Sequence, residues 1–127
     1  MSSKTIINTK NAPAPIGPYN QAVKVNNLLF ISGQIAIDPI TSTIIAKNIE
    51  EETHQVMCNL GAILREAGLD FSNIVKTSIF LSDMNTFAKV NEIYGSYFQD
   101  NFPARETVEV SRLPKDVNVE ISVIATV

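Results

Sequence analysis

The stretch Val117-Asn118-Val119-Glu120-Ile121-Ser122-Val123-Ile124-Ala125-Thr126-Val127 alternates without a break. Val117, Val119, Ile121, Val123, Ala125 and Val127 point one way, and Asn118, Glu120, Ser122, Ile124 and Thr126 point the other, the period of two that a β-strand imposes. A strand with one continuous apolar face needs an amphipathic layer to cover it. Working back from it, Leu113-Pro114-Lys115-Asp116 reads as a turn leading from a strand at residues 105–110. Before that, Ser82 or Asp83 can start a helix whose Phe87, Val90, Tyr94 and Phe98 share a face, and residues 74–81 are rich in β-branched and aromatic side chains.

Further back, Asn48 can cap a helix and Glu51 can return a bond to it, as in a capping box. Val56, Leu60, Ile63, Leu64 and Ala67 recur at helical spacing, and Gly68 is placed for a left-handed stop. Residues 22–25 and 28–32 flank Asn26-Asn27, a hairpin turn pair, and residues 4–7 form a short β-like run. Between these, Asn11-Ala12-Pro13-Ala14-Pro15-Ile16-Gly17-Pro18 is an extended ordered loop, because three prolines forbid a helix.

The order is therefore βββαβαββ, an α+β arrangement in which two amphipathic helices can cover only one face of the sheet. Yet Leu28-Leu29-Phe30-Ile31 is apolar on both faces, wasteful for a sheet facing water, so a second chain is expected over the other face. The 127 residues fit one domain over 1–127, and 45% hydrophobic against 18% charged residues suits a folded core. No apolar run nears the ~20 residues a membrane helix needs, and Met1-Ser2-Ser3-Lys4 is followed by no secretory apolar core, so a cytoplasmic protein is expected. One cysteine, Cys58, and one histidine exclude an internal disulfide and a self-contained zinc site. A net charge of -3 argues against nucleic acid as a partner.

Among candidate functional residues, Arg105 follows Phe102-Pro103-Ala104 and opens a strand, so stiff backbone holds a planar fork suited to a carboxylate. The alternative is an ion pair with Glu106, Glu109 or a neighbouring chain. Glu120 interrupts the most apolar strand. If its face is buried its pKa rises into a range useful for proton transfer, the alternative being an inter-subunit salt bridge. Tyr19 follows the rigid loop and offers an apolar plate with a hydroxyl tip, the alternative being packing on its own domain, and Ser32-Gly33, read as a strand end, offers beside a close backbone approach a hydroxyl that binds a ligand or merely closes a turn. His54 and Cys58, four apart, fall off the apolar stripe and read as a surface histidine and a partly covered helix cysteine, the alternative being a Cys-His nucleophile, and Arg65 reads as a charge suited to the end of its helix. No phosphate-binding loop, dinucleotide fingerprint or nucleophile elbow is present.

At Ile16-Gly17-Pro18-Tyr19-Asn20-Gln21-Ala22, Ile31-Ser32-Gly33-Gln34, Phe102-Pro103-Ala104-Arg105 and Arg112-Leu113-Pro114-Lys115-Asp116-Val117-Asn118-Val119-Glu120-Ile121 the chain resembles the RidA family, also called the YjgF family of reactive intermediate deaminases. The resemblance covers essentially the whole length. It implies a chorismate-mutase-like α+β fold with a mixed sheet, a homotrimer with sites at subunit interfaces, and hydrolysis of 2-imino or enamine acids, of the 2-iminopropanoate and 2-iminobutanoate class, to 2-keto acids and ammonia. No metal or organic cofactor is implied, because an imine is already electrophilic. Carried over by position, Arg105 binds the substrate carboxylate, Glu120 positions or activates water, and Tyr19 and Ser32 line the site. Gly33 and Thr107 complete the candidate substrate-binding set. Thr107 stands where many members have Cys, Asn20 where Ser is frequent and Ser122 where Glu is common, departures that bear on substrate preference. Two other readings stay open: a regulatory module that binds small carboxylates at the same clefts, and a ribonuclease, which the acidic balance disfavours.

Overall fold

The computed structural model describes residues 3–127. Its elements are β1 (Lys4–Ile7), β2 (Ala22–Val25), β3 (Leu28–Gln34), α1 (Ile49–Glu66), β4 (Ile74–Leu81), α2 (Phe87–Gly95), β5 (Ala104–Glu109) and β6 (Val119–Thr126). They form one six-stranded sheet in the order β1-β2-β3-β6-β4-β5. Every neighbouring pair is antiparallel except β4 and β5, which run parallel and are joined through α2, since parallel strands cannot be linked by a tight turn.

Most of the alternating stretch 117–127 becomes β6, paired on its two sides by β3 and β4. Val119, Ile121, Val123 and Ala125 are buried in one cluster with Leu29 and Ile31 of β3, Ile79 and Leu81 of β4, and Val56, Leu60, Ile63 and Leu64 of α1. Each such Val, Leu or Ile contributes about 1.5–3 kcal/mol by leaving water. The strand is shorter than the sequence pattern: Val117 is buried from a preceding 3-10 turn, and Val127 lies past the strand end, exposed.

Asn48 caps α1 through Oδ1, which accepts from the Glu51 N–H at 2.8 Å, while the expected return bond from Glu51 is absent and its carboxylate stays in water. At the other end Gly68 takes φ 77 and the Leu69 N–H reaches the Leu64 carbonyl, the left-handed stop expected there. α2 starts later than the sequence suggested, because Asp83 first caps a short 3-10 turn at Met84–Thr86. Val90 and Tyr94 carry its buried face, and Tyr94 donates through its hydroxyl to Thr77 at 2.9 Å. Phe98 lies beyond the helix and packs against Tyr94. Asn26 takes φ 55 in the turn between β2 and β3. His54 is exposed on α1 as expected, with Nδ1 2.7 Å from the Tyr97 hydroxyl, whereas Cys58, expected to be partly covered, is exposed too.

On the face away from the helices, Leu28, Phe30 and Val108 remain exposed, and among the described residues no element covers them. No described helix is long and apolar enough to cross a membrane.

Candidate active site

Glu120 lies on the uncovered side of β6, because its neighbours Val119 and Ile121 face the core. Beside it β3 bulges: Ile31 pairs with Val123 but Gln34 pairs with Ile121, so Ser32 and Gly33 together oppose Ser122. Ser32-Gly33 therefore sits inside a strand that runs on to Gln34, where the sequence suggested a strand end. The extra residue lets both Ile31 and Gln34 face the core and turns the Gly33 backbone toward Glu120. A Cβ built on Gly33 would come 2.0 Å from Glu120 Oε2, so the carboxylate occupies space that only glycine leaves open. Glu120 is half-buried with no hydrogen-bond partner among the described residues, and burial pushes its carboxyl above the usual carboxylate range.

Around this carboxylate is a cavity of about 430 Å³ whose walls include Pro13, Ala14, Ile16, Ile35, Ile37 and Pro114. Tyr19 and Ser32 border it as well. Ser32 donates through Oγ to the Asn20 carbonyl at 2.7 Å, which fixes the hydroxyl and leaves its oxygen free to accept. Tyr19 is about half exposed at the mouth, its N–H bonded to the Gly17 carbonyl.

Arg105 stands elsewhere. On the edge strand β5 it pairs in register with Thr77, whose side chain is buried toward α2. Its guanidinium lies 5.5 Å from the Phe87 ring centre and 5.3 Å from that of Tyr94, and Nη1 donates to Asn91 Oδ1 at 2.6 Å. Asn91, Tyr94, Phe102, Pro103 and Arg105 line a cleft of about 380 Å³. The ion-pair alternative within this chain is not realised. Glu106 binds Lys76 and Ser78 on the opposite face, and Glu109 accepts from the Met84 N–H. Thr107 shares the Arg105 face, and its Oγ1 is buried with no partner among the described residues.

The two charged residues do not meet within one chain. Arg105 is level with Thr77 and hence with Val123, three residues along β6 from Glu120, and β4 lies between β5 and β6. That is roughly 10 Å along the strands and roughly 10 Å across them, with the side chains on opposite faces of the sheet. No imine of a few carbons spans it.

Two residues that set this geometry went unnoticed in the sequence. Glu52, fully buried on α1, accepts from Asn118 N and Asn118 Nδ2 at 2.7 Å each and from Val119 N, fixing the start of the strand that carries Glu120. Asn59 donates to the carbonyls of Ile35 and Ile37, holding the pocket wall beyond β3. The only sequence signal was a polar residue beside an apolar stripe, which most helices carry.

A family model described as endoribonuclease L-PSP matches residues 9–127, nearly the whole chain. The chain belongs to the endoribonuclease L-PSP family. Within that family, the YjgF gene product of E. coli superposes with a TM-score of 0.92 at 46% identity, covering 96% of this chain and 98% of that one. A RutC family protein of Synechocystis is 58% identical over 94% of this chain and 94% of its own length. The human protein named 2-iminobutanoate/2-iminopropanoate deaminase is 47% identical over 96% of this chain and 89% of its own. The RidA and YjgF resemblance read from four motifs thus extends across the fold, and the mixed α+β sheet is the family's.

Proposed function

We propose that this chain hydrolyses 2-imino acids of the 2-iminopropanoate and 2-iminobutanoate class to 2-keto acids and ammonia, at sites shared between copies in a homotrimer. The observation that carries the proposal is the split of Arg105 and Glu120 between two clefts of one chain, beside an apolar sheet face that no element covers among the described residues. A neighbouring copy seated on that face brings the Arg105 cleft of one chain against the Glu120 pocket of the next. The names of curated relatives support the reaction class. One domain over 1–127 fits the single sheet and the family match, and the reading takes it to act in the cytoplasm. The net charge of -3 disfavours RNA as the substrate.

In this mechanism Arg105 binds the substrate carboxylate through two parallel N–H bonds, pre-aimed by its aromatic stack and Asn91. Glu120, whose carboxyl burial raises above its ordinary pKa and so makes a stronger base, takes a proton from water as the oxygen bonds to the imine carbon, and returns it to nitrogen. Glu120 then carries the proton of the new hydroxyl to the amine nitrogen as the carbon–nitrogen bond breaks and the carbonyl forms, releasing ammonia and the keto acid. Tyr19 and Ser32 border the reacting atoms. The aromatic cage of Arg105 also favours a second reading, a carboxylate sensor, since it is formed without Glu120. An assay of keto-acid release from freshly generated 2-iminopropanoate separates the two. Acceleration over spontaneous hydrolysis is expected, and a folded oligomer that gives none overturns the enzyme reading.

A further inference from the structure

The loop bordering the Glu120 pocket has little means of holding its own shape. Pro13 and Pro15 carry no N–H, and past the turn at Lys10 and Asn11 no backbone-to-backbone hydrogen bond is made across 13–16 among the described residues. The deficit is met by Gln21, a side chain 1% exposed. Its Oε1 accepts from the Thr9 N–H at 2.6 Å, and its Nε2 donates to the carbonyls of Thr9, Ala12 and Pro13 at 3.0, 3.2 and 2.8 Å. Every polar atom of the amide is used on the loop, leaving nothing for a ligand. The Gln21 carbonyl also accepts from the Ser32 N–H at 2.9 Å, so one residue ties the loop to the bulge on which Glu120 rests.

The loop's Pro13, Ala14 and Ile16 share the pocket with Ile35 and Ile37. We propose that Gln21 is the positioning residue of this site, and that the wall it holds makes the pocket select 2-imino acids with an aliphatic side chain larger than methyl. The inference rests on the deaminase reading above. In a cavity of about 430 Å³, the side formed by Pro13, Ala14, Ile16, Ile35, Ile37 and Pro114, away from the polar Ser32, Gln34 and Glu120, has room and chemistry for a branched chain that the methyl of 2-iminopropanoate leaves unused. An enclosed methylene is worth roughly 10-fold or more in kcat/KM.

The test compares kcat/KM for 2-imino-4-methylpentanoate and 2-iminopropanoate in the wild-type protein and in Gln21→Met, which keeps the volume and removes all four side-chain bonds. Wild type is expected to favour the branched substrate by roughly 10-fold or more, and Gln21→Met to bring the ratio toward one, chiefly through the KM of the larger substrate. A merely structural role lowers the active fraction, hence kcat for both substrates alike, and leaves KM and the ratio unchanged. Ala14→Leu, at an exposed loop position, tests the same wall without the latch and is expected to lower the ratio by roughly 10-fold as it fills the pocket. A wild-type ratio at or below one, or ratios that neither variant moves by more than about threefold, overturns the proposal. Hydrolysis of neither substrate by wild type overturns the deaminase reading instead.

Discussion

Replacing Gly33 by alanine isolates the position of the Glu120 carboxyl from its presence. The added Cβ would stand 2.0 Å from Oε2, 2.9 Å from Cδ and 3.1 Å from Cγ of Glu120. To reach an ordinary separation of 3.4 Å the oxygen must retreat by about 1.4 Å. What moves is the end of a flexible side chain, and Gly33 is not among the positive-φ glycines, so the backbone accepts alanine. Alanine in a strand even gains roughly 0.5–1 kcal/mol over glycine. Fold and assembly should therefore survive, with Tm within about 4 °C of wild type. Chemistry should not, since a misplacement of about 1 Å in a reacting group costs about 100-fold. The assay is keto-acid release from freshly generated 2-iminopropanoate, beside a thermal melt and light scattering. Activity within about threefold of wild type, in a protein where Glu120→Gln is inactive, would show that the carboxyl acts from another place. Loss of the oligomer would make Gly33 structural.

Arg105→Ala is expected to lower kcat/KM by roughly 30-fold or more, with Arg105→Lys recovering little, because a point charge cannot reproduce the two bonds of the fork. Its melting temperature should move far less, since an exposed cation–π contact is worth about 0.5–1 kcal/mol; a dissociated oligomer refutes this. For Glu120, folding raises the pKa, so its contribution to stability is full below the unfolded value and lost as pH rises through the folded one. Denaturant midpoints should accordingly show Glu120→Gln more stable than wild type at pH 7 and equal to it in acid, and the acid limb of wild-type kcat/KM should lie above the usual carboxylate range. Thr107→Val should keep most activity and hold or raise Tm, because the buried Oγ1 has no partner to lose among the described residues. A marked fall in either shows that the hydroxyl has a bond in the assembled protein.

What the sequence made legible was the pattern-borne part of the molecule. The alternation at 117–127 and the helical stripe around Leu60 name their own cores, because burial on one face writes its period into the chain. The Phe-Pro-Ala-Arg and Leu-Pro-Lys-Asp segments marked Arg105 and Glu120 through backbone stiffness and a charge out of pattern. The bulge at Ser32-Gly33 was not legible, since one extra residue in a strand leaves the composition unchanged and shows only against the partner strand. Glu52 and Gln21 were missed for a related reason. Each is a polar residue whose partners are backbone groups distant in sequence, Asn118 and Val119 for one and the proline-rich loop for the other. Nor could spacing reveal that Arg105 and Glu120 occupy opposite faces, which depends on the registers of β4 with β5 and with β6.

The site shared between copies is tested most directly by mixing two inactive variants. Arg105→Ala chains keep Glu120, and Glu120→Gln chains keep Arg105. Unfolded together in equal amounts and refolded, random assembly gives about a quarter of the interfaces both intact residues, one from each chain. Recovery of about a quarter of the wild-type deaminase activity, with neither variant active when refolded alone, is the expected result. A mixture no more active than the sum of its parts contradicts a site built by two chains.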